Sequence, residues 1–314
     1  MVQPHKLVII GLGHVGSNVL VDAMKTDLFG EIVTIDKDKA LAHGEALDHH
    51  QATGVHSMAS ISVRAGGYEE CADADVIIVA AGPSMVAGAG DEKPDRAALA
   101  PHNAQVIREV MTGITAHTRD AVIIMITNPL DTMVYVAENE FDYPAGKIFG
   151  TGTMLDTARL RRIVADRACV SPLSIQGFMM GEHGLSAFPL LSHLTIAGMT
   201  PEEFGLDLDP DELASAVVDA AYEVFNSKAW TNAGIAQSAI AMARAVILDE
   251  RIILPACTTL HGEYGLTDIA LSVPTLIGAG GALKRFCPTL NDWEHVALRK
   301  TVTAIQQAMD TLHP

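Results

Sequence analysis

Lys6-Leu7-Val8-Ile9-Ile10-Gly11-Leu12-Gly13-His14-Val15-Gly16 passes from a short apolar run straight into a GxGxxG segment. Five residues before the first glycine suit a buried strand. The residues after Gly13 begin a helical pattern that continues to about residue 28. Each glycine then has a separate task. Gly11 permits the tight turn, Gly13 lets backbone reach a pyrophosphate, and Gly16 lets helix and strand pack closely. The helix start around His14 and Val15 offers unpaired N–H groups and partial positive charge to a diphosphate. Asp36 lies 20 positions beyond Gly16, at the end of a second strand, 31–36. A carboxylate there accepts the ribose hydroxyls of NAD and repels the 2′-phosphate of NADP. The competing readings are a glycine-rich turn without a ligand, and Asp36 as the N-cap of the next helix.

Working outward, strands are expected near 61–64, 76–81, 122–127 and 148–150. Helices are expected at 38–53 and 96–117, with a long loop at 83–95 between the fourth strand and the second of these. Apolar strands alternating with helices imply a parallel sheet covered on both faces. That is an α/β fold with a doubly wound (Rossmann) sheet. Beyond residue 151 the pattern changes. A helix at 154–168 precedes mixed strands near 174–180 and 188–196. Helices follow at 210–226 and 233–248, then strands near 252–260 and 269–273, and a last helix at 291–312. We read a dinucleotide-binding domain over 1–150 and a second, α+β catalytic domain over 151–314.

Composition narrows the partners. The chain has 314 residues, 49% hydrophobic and 19% charged, as expected for a globular protein. Thirty-eight acidic residues against 21 basic ones give a net charge of −17, which repels phosphate backbones and anionic lipid. Nucleic-acid and membrane partners are therefore not expected. Any anionic ligand needs local positive groups to overcome that field. No apolar run approaches the roughly 20 residues that span a bilayer, and no signal-peptide pattern opens the sequence, so a cytoplasmic protein is expected. Cys71, Cys169, Cys257 and Cys287 show no CxxC spacing. They read as reduced thiols, with no metal site and no disulfide framework.

Three more segments carry ionisable groups in suggestive places. Met154-Leu155-Asp156-Thr157-Ala158-Arg159 puts Asp156 and Arg159 on one helix face. Gly181-Glu182-His183-Gly184 brings a histidine out at a strand end. Asp95-Arg96 closes the long loop, where a doubly wound sheet has its ligand crevice. Each also has a plain structural reading. Asp156 and Arg159 would be a surface ion pair worth about 0.2–0.5 kcal/mol, His183 a structural turn residue, and Arg96 a solvated helix start.

Together with Asn128-Pro129-Leu130-Asp131 and the run 150–159, these segments resemble, in order and over essentially the whole chain, the L-lactate/malate dehydrogenase family. The 150–162 and 231–240 segments are most similar to its L-2-hydroxyisocaproate dehydrogenase branch. The resemblance implies an NAD-dependent oxidoreductase that moves a hydride between NADH and a small 2-oxo acid, giving an L-2-hydroxy acid. His183 would be the general acid and Asp156 would hold its imidazole. Arg159 would clamp the substrate carboxylate, and Arg96 would polarise the carbonyl. Asn128 would hydrogen-bond near substrate and cofactor, and Thr231 would line the side-chain pocket. The loop 83–95 would be a lid. It is longer than the common lactate pattern, with small residues at 87–90; the two readings are room for a bulkier side chain and a loop extension with no effect on the pocket. Malate would call for another arginine on that lid, where Lys93 is the only other base. Arg161 and Gln176 stand where some relatives place an arginine and a histidine for a sugar bisphosphate, so one anion-binding group is missing. The resemblance further implies a homodimer or homotetramer, with a contact near Leu47-Asp48-His49-His50. Two rival readings are a non-catalytic NAD-binding redox sensor and an NAD- and metal-dependent glycosidase. The first has no need of Arg96, Asp156, Arg159 and His183 together. The second calls for a Cys/His metal pair, and no cysteine here has a histidine within three residues.

Overall fold

The computed structural model describes residues 5–55, 61–83 and 96–312. Strand β1 (Lys6–Ile10) is buried throughout and runs into helix α1 (His14–Met24). Next come β2 (Glu31–Ile35), α2 (Lys39–Ala52), β3 (Ser62–Ala65) and β4 (Val76–Val79). A 3₁₀ turn at Arg96–Leu99 leads into α3 (Ala100–Thr115), followed by β5 (Val122–Met125), α4 (Leu130–Asn139) and β6 (Ile148–Gly150). These six strands are parallel in the order β3-β2-β1-β4-β5-β6. The chain reverses its winding between β1 and β4, so a crevice opens beyond their C-terminal ends. Alternate β1 residues feed two cores. Leu7 and Ile9 pack with α1, whereas Val8 and Ile10 pack toward α3 and α4.

The second half begins with α5 (Met154–Ala168) and four two-residue strands, β7 (Ile175–Gln176), β8 (Met179–Met180), β9 (Phe188–Pro189) and β10 (Thr195–Ile196). They pair as β7 with β10 and β8 with β9. The short α6 (Pro201–Phe204), then α7 (Pro210–Lys228) and α8 (Ala233–Ile247), precede β11 (Ile252–His261), β12 (Thr267–Gly278) and β13 (Gly281–Arg285). Helix α9 (Asp292–Asp310) closes the described chain. Strands β11–β13 form an antiparallel meander, and β11 joins β6 through Cys257 and Gly150. One nine-stranded mixed sheet therefore crosses the expected boundary at residue 150. Strand β13 was not expected, because Gly281-Ala282-Leu283-Lys284-Arg285 has only two apolar side chains larger than glycine and lies at the sheet edge. The 96–117 helix starts later than expected, since Pro101 favours the first turn of α3 at Ala100.

Helix α8 decides where the two halves meet. Ala236, Ala239 and Ala243 recur at helical spacing and are fully buried in the core that holds α1 and one sheet face. Small side chains allow a close approach, and the segment just before α8 is thereby carried to the glycine turn.

Buried acids make the stability of this framework depend on pH, Glu138 among them. Glu138 Oε2, on α4, accepts the Thr259 N–H and hydroxyl at 2.6 Å each. Burial pushes the Glu138 carboxyl from 4.5 up to about 7. Between those values the native chain binds a proton that the unfolded chain has released, so stability falls as pH rises through that window. The full effect above it is on the order of 3 kcal/mol. Glu138→Gln keeps an acceptor oxygen and removes the charge. Its melting temperature should exceed the parent's by several degrees at pH 8 and by far less at pH 5; equal shifts at both pH values would assign the effect elsewhere.

Candidate active site

At Gly11 the backbone has φ +94°, and a Cβ would lie 2.6 Å from the Ala81 Cα. A Cβ on Gly16 would lie 1.7 Å from the Gly11 carbonyl oxygen. Both glycines therefore let α1 close onto the ends of β1 and β4. Gly13 differs: its chain neighbours aside, no atom of the described residues lies within 4 Å of its would-be Cβ. It sits at the N-cap of α1, and no side chain caps that end. The N–H groups of the first turn have no intrahelical acceptor. An open cradle in front of an uncapped helix start is what a diphosphate fills.

Asp36 stands beside the same turn. Its Oδ2 accepts the Leu12 N–H at 2.7 Å, and its Oδ1 accepts the Asp38 N–H at 2.9 Å. The N-cap of α2 is Asp38, whose carboxylate accepts from Ala40 and Leu41. Asp36 is thus not the cap. It ties the end of β2 to the glycine turn and stays half-buried at the cradle's edge. These residues fit a dinucleotide.

The second cluster is built on α5. Gly152 adopts φ +51°, Thr153 N–H donates to Ser272 Oγ at 3.1 Å, and Thr153 Oγ1 donates to the Met179 carbonyl at 2.6 Å. These contacts aim the first turn of α5 inward. Asp156 Oδ1 accepts from Arg159 at 2.8 Å, and its Oδ2 lies 2.7 Å from His183 Nδ1. The ion pair anticipated at i,i+3 does form, but away from the surface. The side chains of Asp156, Arg159 and His183 are only 8, 12 and 9% exposed. With its Nδ1 on the carboxylate, the imidazole has Nε2 on its opposite side.

The His183 loop is pinned on three sides. Gly181 exchanges backbone hydrogen bonds with Ser272 at 3.0 and 2.9 Å. Glu182 N–H donates to Thr301 Oγ1 of α9 at 3.2 Å, and that hydroxyl donates to the Ser186 carbonyl at 2.8 Å. The His183 N–H donates to Asp131 Oδ2 at 2.8 Å.

One cleft joins both clusters. Gly13, His14, Val15, Asn128, Arg159, His183 and Thr231 all line it. Asn128 is held by its carbonyl, which accepts the Asn103 amide at 2.6 Å, while Asn128 Oδ1 is buried with no partner among the described residues. Such an atom asks for a ligand. Gly11 and Gly16 stand behind the turn. Arg96 begins the 3₁₀ turn Arg96–Leu99, but its side chain, Lys93 and the stretch 84–95 lie outside the described residues.

Some lining residues were not foreseen. Trp230 stacks on His14, rings 3.9 Å apart and 9° from parallel, while Phe225 and Ile235 supply an apolar wall. Trp230 directly precedes Thr231, but its partner is more than 200 positions away, and no local pattern marks it. Asp131 ends the Asn128-Pro129-Leu130-Asp131 run, and the family resemblance implies no role for it. Away from the cleft, Arg161 donates to the Gly177 carbonyl at 3.2 Å and lies over the Phe178 ring. Gln176 is exposed.

The glycine turn yields a contrast. Gly13→Ala should fold with a melting temperature within a few degrees of the parent, because the new methyl meets only open space. It should weaken dinucleotide binding roughly tenfold or more by occupying the cradle. Gly16→Ala should instead lose solubility or melt far earlier. Calorimetry and titration of NADH fluorescence separate the two, and unchanged NADH affinity in Gly13→Ala would remove the cradle.

Comparison with known proteins agrees with this geometry. Residues 5–150 match the family model for the lactate/malate dehydrogenase NAD binding domain. Residues 153–313 match that for the lactate/malate dehydrogenase alpha/beta C-terminal domain. L-lactate dehydrogenase 2 of Clostridium acetobutylicum is 40% identical over 98% of both chains. L-lactate dehydrogenase of Selenomonas ruminantium is 41% identical over 97% of both. The crystal structure of the minor L-lactate dehydrogenase from Enterococcus mundtii, in a ligands-bound form, superposes with a TM-score of 0.91 at 31% identity, covering 98% of each chain. A glycine turn shaped to fit a dinucleotide, opening onto a buried Asp–His–Arg cluster in one cleft, thus belongs to a chain that is a member of the lactate/malate dehydrogenase family, with NAD as its cofactor.

Proposed function

We propose that this chain reduces a 2-oxo acid with NADH to an L-2-hydroxy acid, either L-lactate or a bulkier branched 2-hydroxy acid such as 2-hydroxyisocaproate. The carrying observation is the buried carboxylate of Asp156, bonded at once to His183 and Arg159 in the cleft that begins at the glycine turn. In this reading residues 1–150 hold the cofactor, with Gly11, Gly13, His14, Val15, Gly16 and Asp36 shaping its site. Residues 151–314 carry the acid and the clamp.

The cofactor, when bound, supplies the hydride. His183 gives its proton to the oxygen that gathers charge, and Asp156 fixes the ring and offsets the imidazolium. Arg159 receives the substrate carboxylate; a guanidinium serves two partners in one plane, as Asp156 and a carboxylate ligand require. Asn128 Oδ1 gains a partner at the same wall, and Thr231 faces the side-chain end. Arg96 is assigned the polarising role by family resemblance alone. The rival of a non-catalytic NAD-binding sensor leaves the Asp156–His183–Arg159 cluster without a purpose.

The cleft also bears on the substrate's far end. Among its described lining residues the basic ones are His14, Arg159 and His183, beside Phe225, Trp230 and Ile235. An apolar side chain is accommodated better than the second carboxylate of oxaloacetate, so the malate reading is disfavoured. No helix of the described residues is long and apolar enough to cross a membrane, and we place the enzyme in the cytoplasm. Leu41 and Leu47 are exposed on α2; they support a homodimer or homotetramer that buries that helix.

His183→Asn should lower kcat by about 10²–10⁴-fold while leaving NADH affinity within twofold. Retained turnover would end the proposal. A kcat/KM series over pyruvate, 2-oxobutyrate, 2-oxoisocaproate, phenylpyruvate and oxaloacetate should place at least one monocarboxylate tenfold or more above oxaloacetate. The reverse order would restore malate.

A further inference from the structure

We propose that Asp131 is a positioning residue for the reaction, holding the proton donor His183 from behind through its backbone. This rests on the reading of His183 as the acid. Asp131 is the second residue of α4 and only 3% exposed. Its Oδ2 accepts the His183 N–H at 2.8 Å, so a carboxylate on the cofactor half reaches a loop on the other half. The Cys257 thiol of β11 lies against the same carboxyl group.

A buried carboxyl is a costly acceptor here. Burial, reinforced by the nearby Glu182, pushes Asp131 up to about 7. An apolar side chain would fill the space beneath the loop with no such opposition. What Asp131 adds is a directed bond at the one residue whose ring must face the cleft. The loop's ends are already fastened, Gly181 to Ser272 and Ser186 to Thr301. Between those anchors, Asp156 fixes the His183 ring and Asp131 fixes its backbone, from two different helices.

The same helix end also sets Asn128. Asn128 immediately precedes the Pro129 N-cap of α4, and its carbonyl is fastened to Asn103 of α3. Asp131 therefore locks the spacing between Asn128, which faces the ligand, and His183, which protonates it. Misplacement of a reacting group by about 1 Å can lower a rate on the order of 100-fold.

The test compares Asp131→Leu, which removes the acceptor, with Asp131→Asn, which keeps one. Asp131→Leu should lower kcat at least roughly tenfold, with NADH affinity within twofold and a larger solvent deuterium isotope effect on kcat, because proton transfer becomes slower. Asp131→Asn should return kcat to within about threefold of the parent. Should the leucine variant not fold, Asp131→Ser, too short to reach the amide, carries the same expectation. Parent kcat in the acceptor-less variant, or a loss in Asp131→Asn as large as in Asp131→Leu, overturns the assignment. So does a fall in kcat with an unchanged isotope effect. If His183→Asn is inactive while Asp131→Leu turns over like the parent, the function stands and only this role fails.

Discussion

Everything in the candidate active site turns on one buried carboxylate shared by a guanidinium and an imidazole. Asp156 meets Arg159 with one oxygen and His183 with the other, at 2.8 and 2.7 Å. Water is nearly excluded, so each attraction is worth more than at the surface, and loss of one partner leaves charge that burial penalises. The acid cannot swing away from the clamp, because both lean on the same group. In the proposed reaction a substrate carboxylate and carbonyl would meet a fixed pair of partners.

This local design answers the charge of the whole molecule. A chain with a net charge of −17 repels NADH and a 2-oxo acid alike. In the proposed function the uncapped start of α1 and Arg159 counter that field. Neither would act strongly in bulk water. Both lie in a cleft walled by Phe225, Trp230 and Ile235, where the dielectric is low and charges are felt at short range.

The two halves are joined where the chemistry needs them joined. The alanine face of α8 packs against the core that includes α1, and Trp230, just ahead of that helix, stacks on His14. Strand β11 extends the parallel sheet past β6, bringing Cys257 beside α4. The fold thus places the glycine turn, the Asp156 cluster and the His183 loop around one opening, though they lie far apart along the chain.

Much of this was legible in the order of residues. Largely apolar runs such as 76–81 and 122–127 announce buried parallel strands. The three glycines of 11–16 specify a turn that only glycine can make at its first and last positions, where a Cβ would strike backbone. Asp156 and Arg159 share a helix face by periodicity alone. What sequence could not decide is whether that face looks outward or inward, since a helix repeat fixes spacing but not which neighbour covers it. Burial decided between a surface pair and a cleft cluster in favour of the cluster, and the cap of α2 is Asp38, leaving Asp36 to fasten the glycine turn. The Trp230–His14 stack, the Asp131 bond to His183 and the edge strand β13 join residues remote in sequence or weak in pattern. Only the tertiary structure decides such contacts, because they depend on which surfaces meet, and local preference carries no record of that.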